Sequence, residues 1–272
     1  MLTKTEEELL EQIYRWEKQQ EKEALVAENL PNNWCGRMLN VLPRRVQKKI
    51  EKKFDQMLFH MNSIAQSSSL YEQAKKRILA LACLRGDQIQ TIADLKKIPV
   101  NELYSLAEQV IAAQRFSSFI QGGISGTGQT FLLSVDLPVV LFMQMRAVQT
   151  ISLAYGYEVN SPYEMMLSLN VFHCSMLPAH AKYHAWKKLK KEAIHGQERY
   201  FYNEAESFAH LQTGERFLRQ IIKLFVIKTL KKGLPAAGIL FGGAVNYHTT
   251  KSCIQFAHKF YQFRLLTEKN KH

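Results

Sequence analysis

The side chains best placed to do chemistry in this 272-residue chain are few and scattered. Asp136 is the one carboxylate within the apolar run Phe131–Met143, and Asn246 closes a second small-residue-rich run that starts at Gly233. With His180, or with His173, they could line a polar pocket in an apolar core and hydrolyse a lipid or peptide. A buried, unpaired Asp136 would tend to protonate, so a neutralising partner is expected, and Arg146 is the nearest cation in sequence. Ten residues on one continuous helix would separate them by about three turns, so pairing requires a kink at Pro138 or a hairpin. A structural Asp–Arg pair is the plainer use of the two groups, because ion pairs perturb buried acids without catalysis.

Other chemistries are excluded or weakened by single residues. Gly123 to Thr130 has the G-x-x-x-x-G spacing of a phosphate loop, but Gln129 stands where a lysine must reach the terminal phosphates, and a helix rather than a buried strand precedes it. Nucleotide hydrolysis therefore falls away, and no cofactor is expected. His173, His180 and His184 are spaced for one helical face, yet Leu177-Pro178 should break the helix between the first and second. The His180/His184 pair has the spacing of zinc proteases without their glutamate, since Ala181 takes that place. These histidines are weak metal candidates, and no metal is expected. No G-x-S-x-G occurs. The four cysteines form no CxxC pair, and reduced thiols are the simpler reading.

The elements that must position these groups read as helices. Thr3/Glu6 and Thr5/Glu8 both fit a capping box, and Leu9, Ile13, Trp16, Leu10 and Tyr14 mark one face of an amphipathic helix to Glu28. This acidic arm, residues 1–30, is set apart from a helical domain over 31–272. Further helices are expected at Leu70–Leu84, at Thr91–Ile98 with a break at Pro99, at Asn101–Phe119, and at Thr249–Leu266. Strand signals are poor throughout. The fold class is all-α: a multi-helix, single-domain bundle with Gly/Ala-rich apolar helices in or near its core.

The net charge of +12 points to a polyanionic neighbour. Residues 1–30 carry eight acids against four bases, so the basic excess lies downstream. It gathers in Arg44, Arg45, Lys48, Lys49, Lys52 and Lys53, and again in Lys187, Lys188, Lys190 and Lys191. Either group can be an ordinary solvated face or a dock for an anionic membrane. Nucleic acid is not the expected partner, because no reading helix or aromatic-lined sheet accompanies the bases. Met1–Glu28 lacks the basic-then-apolar order of a secretory signal, so export by the general route is not expected. A membrane span needs about 20 apolar residues. The run holding Asp136 and Pro138 is shorter than that, and Gly233–Thr250 is rich in glycine. Three readings stay open: a buried helix pair, a hairpin inserted from one side, or a body docked by its basic faces.

At the two apolar stretches the chain resembles the EcsC protein family. The likeness rests on the Gly-rich turn before Ser134-Val135-Asp136-Leu137-Pro138, on Arg146-Ala147-Val148, and on Ala154-Tyr155-Gly156-Tyr157. It continues through Lys232-Gly233-Leu234-Pro235-Ala236-Ala237-Gly238 to Asn246, then Ala257, Tyr261 and Arg264. The resemblance implies a mostly helical bacterial protein at the cytoplasmic face of the membrane, peripheral or hairpin-inserted. It also implies an accessory role beside an ABC transporter made of the ATPase EcsA and the membrane subunit EcsB. It implies no reaction, so Asp136, Pro138, Arg146, Gly156, Pro235, Gly238 and Asn246 carry over only as motif positions.

Overall fold

The computed structural model describes residues 3–28, 60, 63–85, 89–124, 133–200 and 235–271, with side chains for 3–26, 60, 63–85, 89–113, 140–194 and 248–270. Helix α1, Lys4–Glu28, begins at the box formed by Thr3 and Glu6. The Thr3 amide donates to Glu6 Oε2 at 2.8 Å and the Glu6 amide to Thr3 Oγ1 at 3.3 Å, satisfying two amides that the first turn cannot. Leu9, Ile13 and Trp16 are buried as their spacing predicts. Tyr14 is not on that face: it is 48% exposed, because a wider apolar stripe would turn past the one helix, Ala179–Tyr200, that α1 mainly meets.

Helix α2 spans Ser69–Cys83 behind a Ser68 cap, and a 3-10 turn covers Ala93–Lys97 before Pro99. Helix α3 runs Val100–Ile124 and α4 Leu133–Ala154, the latter with Pro138 inside its second turn. Helix α5, Pro162–Met176, starts with Ser161 as cap and proline at the first position, where its missing N–H costs nothing. Leu177 is extended, Pro178 follows, and α6 then runs Ala179–Tyr200, so the break expected between His173 and His180 is there. Among the described residues there is no strand. The architecture is an all-α, single-domain bundle.

The last helix, α7, is where the sequence and the structure part most. The Gly/Ala-rich run and the closing aromatic segment, expected as separate elements, are one helix, Pro235–Lys271. Asn246-Tyr247-His248 between them is polar but contains no helix breaker, so nothing forces an end. From Cys253 to Leu266 nearly every residue is buried, whichever way it faces, as a helix enclosed by others must be. Helices α3, α4, α5, α6 and α1 all pack on it. At its centre Trp186 meets Trp16, Phe256 and Phe263 edge-on at ring distances of 4.8, 5.5 and 6.3 Å. Such pairs add roughly 0.5–1.5 kcal/mol each beyond area burial.

Candidate functional site

Because α7 is enclosed, its polar side chains must find partners on neighbouring helices, and they do so at three levels. At the first, Gln144 of α4 donates through Nε2 to Thr250 Oγ1 at 3.1 Å and to Thr249 Oγ1 at 3.4 Å. Lys182 of α6 donates through Nζ to Ser252 Oγ at 3.0 Å. Burial pushes the Lys182 ammonium below its ordinary value, and among the described residues no carboxylate lies within ion-pair distance of it. Next to it, burial raises the Cys253 thiol to about 11. A lysine leaning towards the neutral amine beside a serine hydroxyl could activate that hydroxyl. Ser252 lies mid-helix, however, where the neighbouring backbone N–H groups are already used and cannot hold an oxyanion.

At the second level the Tyr155 hydroxyl is 2.9 Å from His258 Nδ1, and His258 Nε2 is 3.2 Å from Glu108 Oε1 of α3. Tyr155 and His258 are buried, while Glu108 reaches solvent.

At the third level Arg264 makes two parallel bonds to Glu164, Nη1 to Oε2 at 2.7 Å and Nη2 to Oε1 at 2.6 Å, and a third from Nε to Glu268 Oε1 at 3.1 Å. Lys96 Nζ reaches Glu268 Oε2 at 2.8 Å. The Tyr157 ring lies between the two cations, with the Arg264 guanidinium carbon 3.9 Å and Lys96 Nζ 3.8 Å from its centroid. Burial alone would push the Arg264 guanidinium down; Glu164, Tyr157 and Glu268 outweigh it and hold it above its ordinary value.

The motif letters around Tyr157 now have a reason. The Gly156 amide donates to Leu153 O and the Tyr157 amide to Ser152 O, both at 2.9 Å, which closes α4 in a Schellman turn. That turn needs a left-handed residue, and Gly156 has φ +81°. A Cβ there would also stand 2.7 Å from Lys96 Cγ and 3.3 Å from Ile92 O. Gly156 thus places Tyr155 and Tyr157 on either side of one tight turn, aimed at His258 and Arg264.

The residues singled out from sequence fare unevenly. Asp136 and Pro138 fall in the first two turns of α4, and Pro235, Gly238 and Asn246 in the first turns of α7, all with side chains outside the described residues. The Asp136–Asn246 pocket therefore lies outside them too. Arg146 is half-buried on α4, its Nη1 3.8 Å from Met143 Sδ, and burial pushes its guanidinium down. Its buried Nε has no hydrogen-bond partner among the described residues. His173 is buried on α5, its imidazole pushed down to about 4 by burial, whereas the His180 and His184 rings meet edge-on at 4.6 Å on α6. Among the described residues no group of three His, Cys, Asp or Glu side chains could hold a metal ion. Lys187, Lys188 and Lys191 are exposed; Lys190 turns inward to Glu17 Oε2 at 2.5 Å. Arg44, Arg45, Lys48, Lys49, Lys52 and Lys53 lie outside the described residues.

Glu108, Glu164 and His258 were not legible as functional groups. Only the motif letters Tyr155, Tyr157 and Arg264 hinted at the places they meet.

These features define a class: a helical bundle closed around one enclosed C-terminal helix, with its polar side chains spent on holding that helix. The chain belongs to the EcsC protein family, whose match spans residues 7–266. It is 25% identical over 281 residues to the uncharacterised protein YdbA of Bacillus subtilis (strain 168), a match covering 100% of this chain and 97% of that one. It is 23% identical over 238 residues to protein EcsC of the same strain, covering 85% of this chain and 89% of that one. No solved structure matches.

Proposed function

We propose that this chain is an accessory factor with no reaction of its own, docked on the anionic cytoplasmic face of the membrane and working beside an ABC transporter of the EcsA/EcsB type. The observation that carries the reading is the outer face of α6. Trp186 and Leu189 turn inward and Lys190 is taken up by Glu17, which leaves Lys187, Lys188 and Lys191 exposed on one side of the helix, Lys187 with its Nζ 4.3 Å from the centre of the Tyr183 ring. Among the described residues no helix is long and apolar enough to cross a membrane. Each lysine near an anionic leaflet contributes about 1 kcal/mol, an attraction that fades within a Debye length of about 10 Å at 0.1 M salt. Three such residues give roughly 3 kcal/mol, too little for stable attachment alone, which is why the second basic cluster, Arg44 to Lys53, belongs in the proposal.

Co-sedimentation of the full chain with vesicles of phosphatidylglycerol and phosphatidylcholine tests this. The protein is expected to pellet with the anionic vesicles at low salt and to be released as salt rises. Replacing Lys187, Lys188 and Lys191 together by glutamine should weaken pelleting roughly a hundredfold. A chain that stays in the supernatant with anionic vesicles at low salt overturns the docking. Cross-linking in cells that captures no transporter subunit overturns the partnership.

A further inference from the structure

The line from buried Tyr155 and His258 to solvent-reaching Glu108 ties three helices together through one imidazole, and these two contacts of the ring are both satisfied by one arrangement of hydrogens. Tyr155, at the C-terminal end of α4, is enclosed, and its hydroxyl has His258 Nδ1 as its partner at 2.9 Å. A phenol O–H donates to Nδ1 only if that nitrogen carries no hydrogen. On the other side Glu108 Oε1 stands 3.2 Å from Nε2, which suits a hydrogen on that nitrogen. The neutral imidazole protonated at Nε2 meets both demands. Adding a proton puts the ring's second hydrogen on Nδ1, facing the phenol's own. The phenol oxygen can then only accept from Nδ1–H, and its own hydrogen must turn away inside a buried setting, at the cost of an unmade hydrogen bond. The same proton strengthens the contact with Glu108.

We propose that Tyr155, His258 and Glu108 form a proton-operated latch: with His258 neutral it joins α4 to α3 through α7, and protonation weakens the α4 side, where the phenol hydrogen loses its acceptor, while tightening the α3 side. The other titratable groups facing the imidazole fit such a device. From α3, Tyr104 lies with its ring 5.7 Å from that of His258, the same distance as the Tyr155 ring from α4. On α7, Lys259 is next in sequence and points its Nζ to Gln262 Oε1 at 3.3 Å. Burial lowers the Lys259 ammonium and Glu108 opposes that, so Glu108 faces the lysine as well as the imidazole. Catalysis is the wrong reading of the triad, because Tyr155 and His258 are enclosed and no substrate can reach either. Weakening the α4 side would act at the Schellman turn, from which α4 and α7 both run back towards their apolar first turns.

The test uses the full chain with ring-nitrogen-labelled histidine, and long-range nitrogen–proton correlation spectra recorded from pH 8 to pH 5. The His258 signal is assigned by its loss in His258→Gln. It should show the Nε2–H tautomer at the alkaline end. Tyr155→Phe removes the donor that favours the neutral form and should move the His258 midpoint up; Glu108→Gln removes the attraction for the charged form and should move it down. The protection factors of the amides over Leu153–Tyr157, with the intrinsic pH dependence of exchange divided out, should fall on acidification in the parent chain and stay flat in Tyr155→Phe. An Nδ1–H tautomer, midpoints that fail to move in opposite directions, or protection factors that ignore pH would overturn the latch. Should Tyr155→Phe fail to fold, the tautomer, the Glu108→Gln shift and the parent's exchange still decide.

Discussion

The two ends of the enclosed part of α7 solve the same problem in opposite ways. Near Arg264 every buried charge has a counter-charge: Glu164 takes the guanidinium in two bonds, Glu268 takes a third, and Lys96 balances Glu268. Near Ser252 the charge is matched differently: among the described residues Lys182 bonds a hydroxyl, with the Glu23 carboxylate acting on it only from longer range. Orphaned neutral atoms do not distinguish the ends, since Gln144 Oε1 is one and the Tyr157 and Tyr261 hydroxyls are others. The first end is built as an anchor. The second tolerates lost solvation without recovering it, the arrangement expected where a group is kept for something other than holding the fold together.

The sharpest break in that contrast is Arg264→Met. It leaves Glu164 buried without its partner and removes the stack on Tyr157, so it should cost roughly 3–5 kcal/mol in urea unfolding. A loss below about 1 kcal/mol would mean the anchor is an ornament and the comparison is wrong.

Acid should act at the opposite end. His173 lies on α5 next to Cys174 and Ser175, close to Cys253, and burial lowers its imidazole from 6.5 to about 4. A base whose folded value is depressed adds stability that is fully present above its unfolded value and is lost as pH falls through the folded one. The window is therefore pH 6.5 down to about 4, and the loss about 3 kcal/mol. Thermal unfolding across that range should show the decline in the parent and a flatter curve in His173→Gln. Equal declines in both would assign the acid sensitivity elsewhere.

Gly156→Ala probes the anchor through its backbone. The left-handed turn and the approach to Lys96 Cγ together should cost about 1–3 kcal/mol and disturb the Lys96–Glu268 pair. A neutral result would show that the turn can reclose without glycine.

What could be seen before the fold was known follows the range of the interaction. The Thr3/Glu6 box, the break at Leu177-Pro178 and the all-helical class each depend on residues within a few positions of one another. Arg264–Glu164 joins residues 100 apart and Tyr155–His258 joins residues 103 apart, and no periodicity connects such pairs. Glu164 belongs to no motif, and Arg264 looked like a motif letter in the closing aromatic segment. The merger of two expected segments into α7 was missed for a related reason. Local glycine content suggested a boundary, while the packing of five helices around α7 outweighs the roughly 1 kcal/mol that each interior glycine costs.

The smallest expected effect is the most discriminating. Lys182→Met keeps the length and apolar stem of the side chain and deletes a desolvated charge whose hydrogen bond goes to a hydroxyl, with the exposed Glu23 acting on it only at longer range. Replacing a buried cation by an apolar side chain of similar shape is close to neutral when no opposite charge is left behind, and Ser252 can still satisfy its hydroxyl within the helix. The change in unfolding free energy should therefore stay within about 1 kcal/mol of zero, beside the several kcal/mol of Arg264→Met. If the two methionine variants prove equally damaging, Lys182 has an anionic partner and the two ends of α7 are held in the same way. If Lys182→Met is neutral for stability but lowers vesicle pelleting or activity of the transporter in cells, the lysine is kept for what the protein does rather than for how it folds.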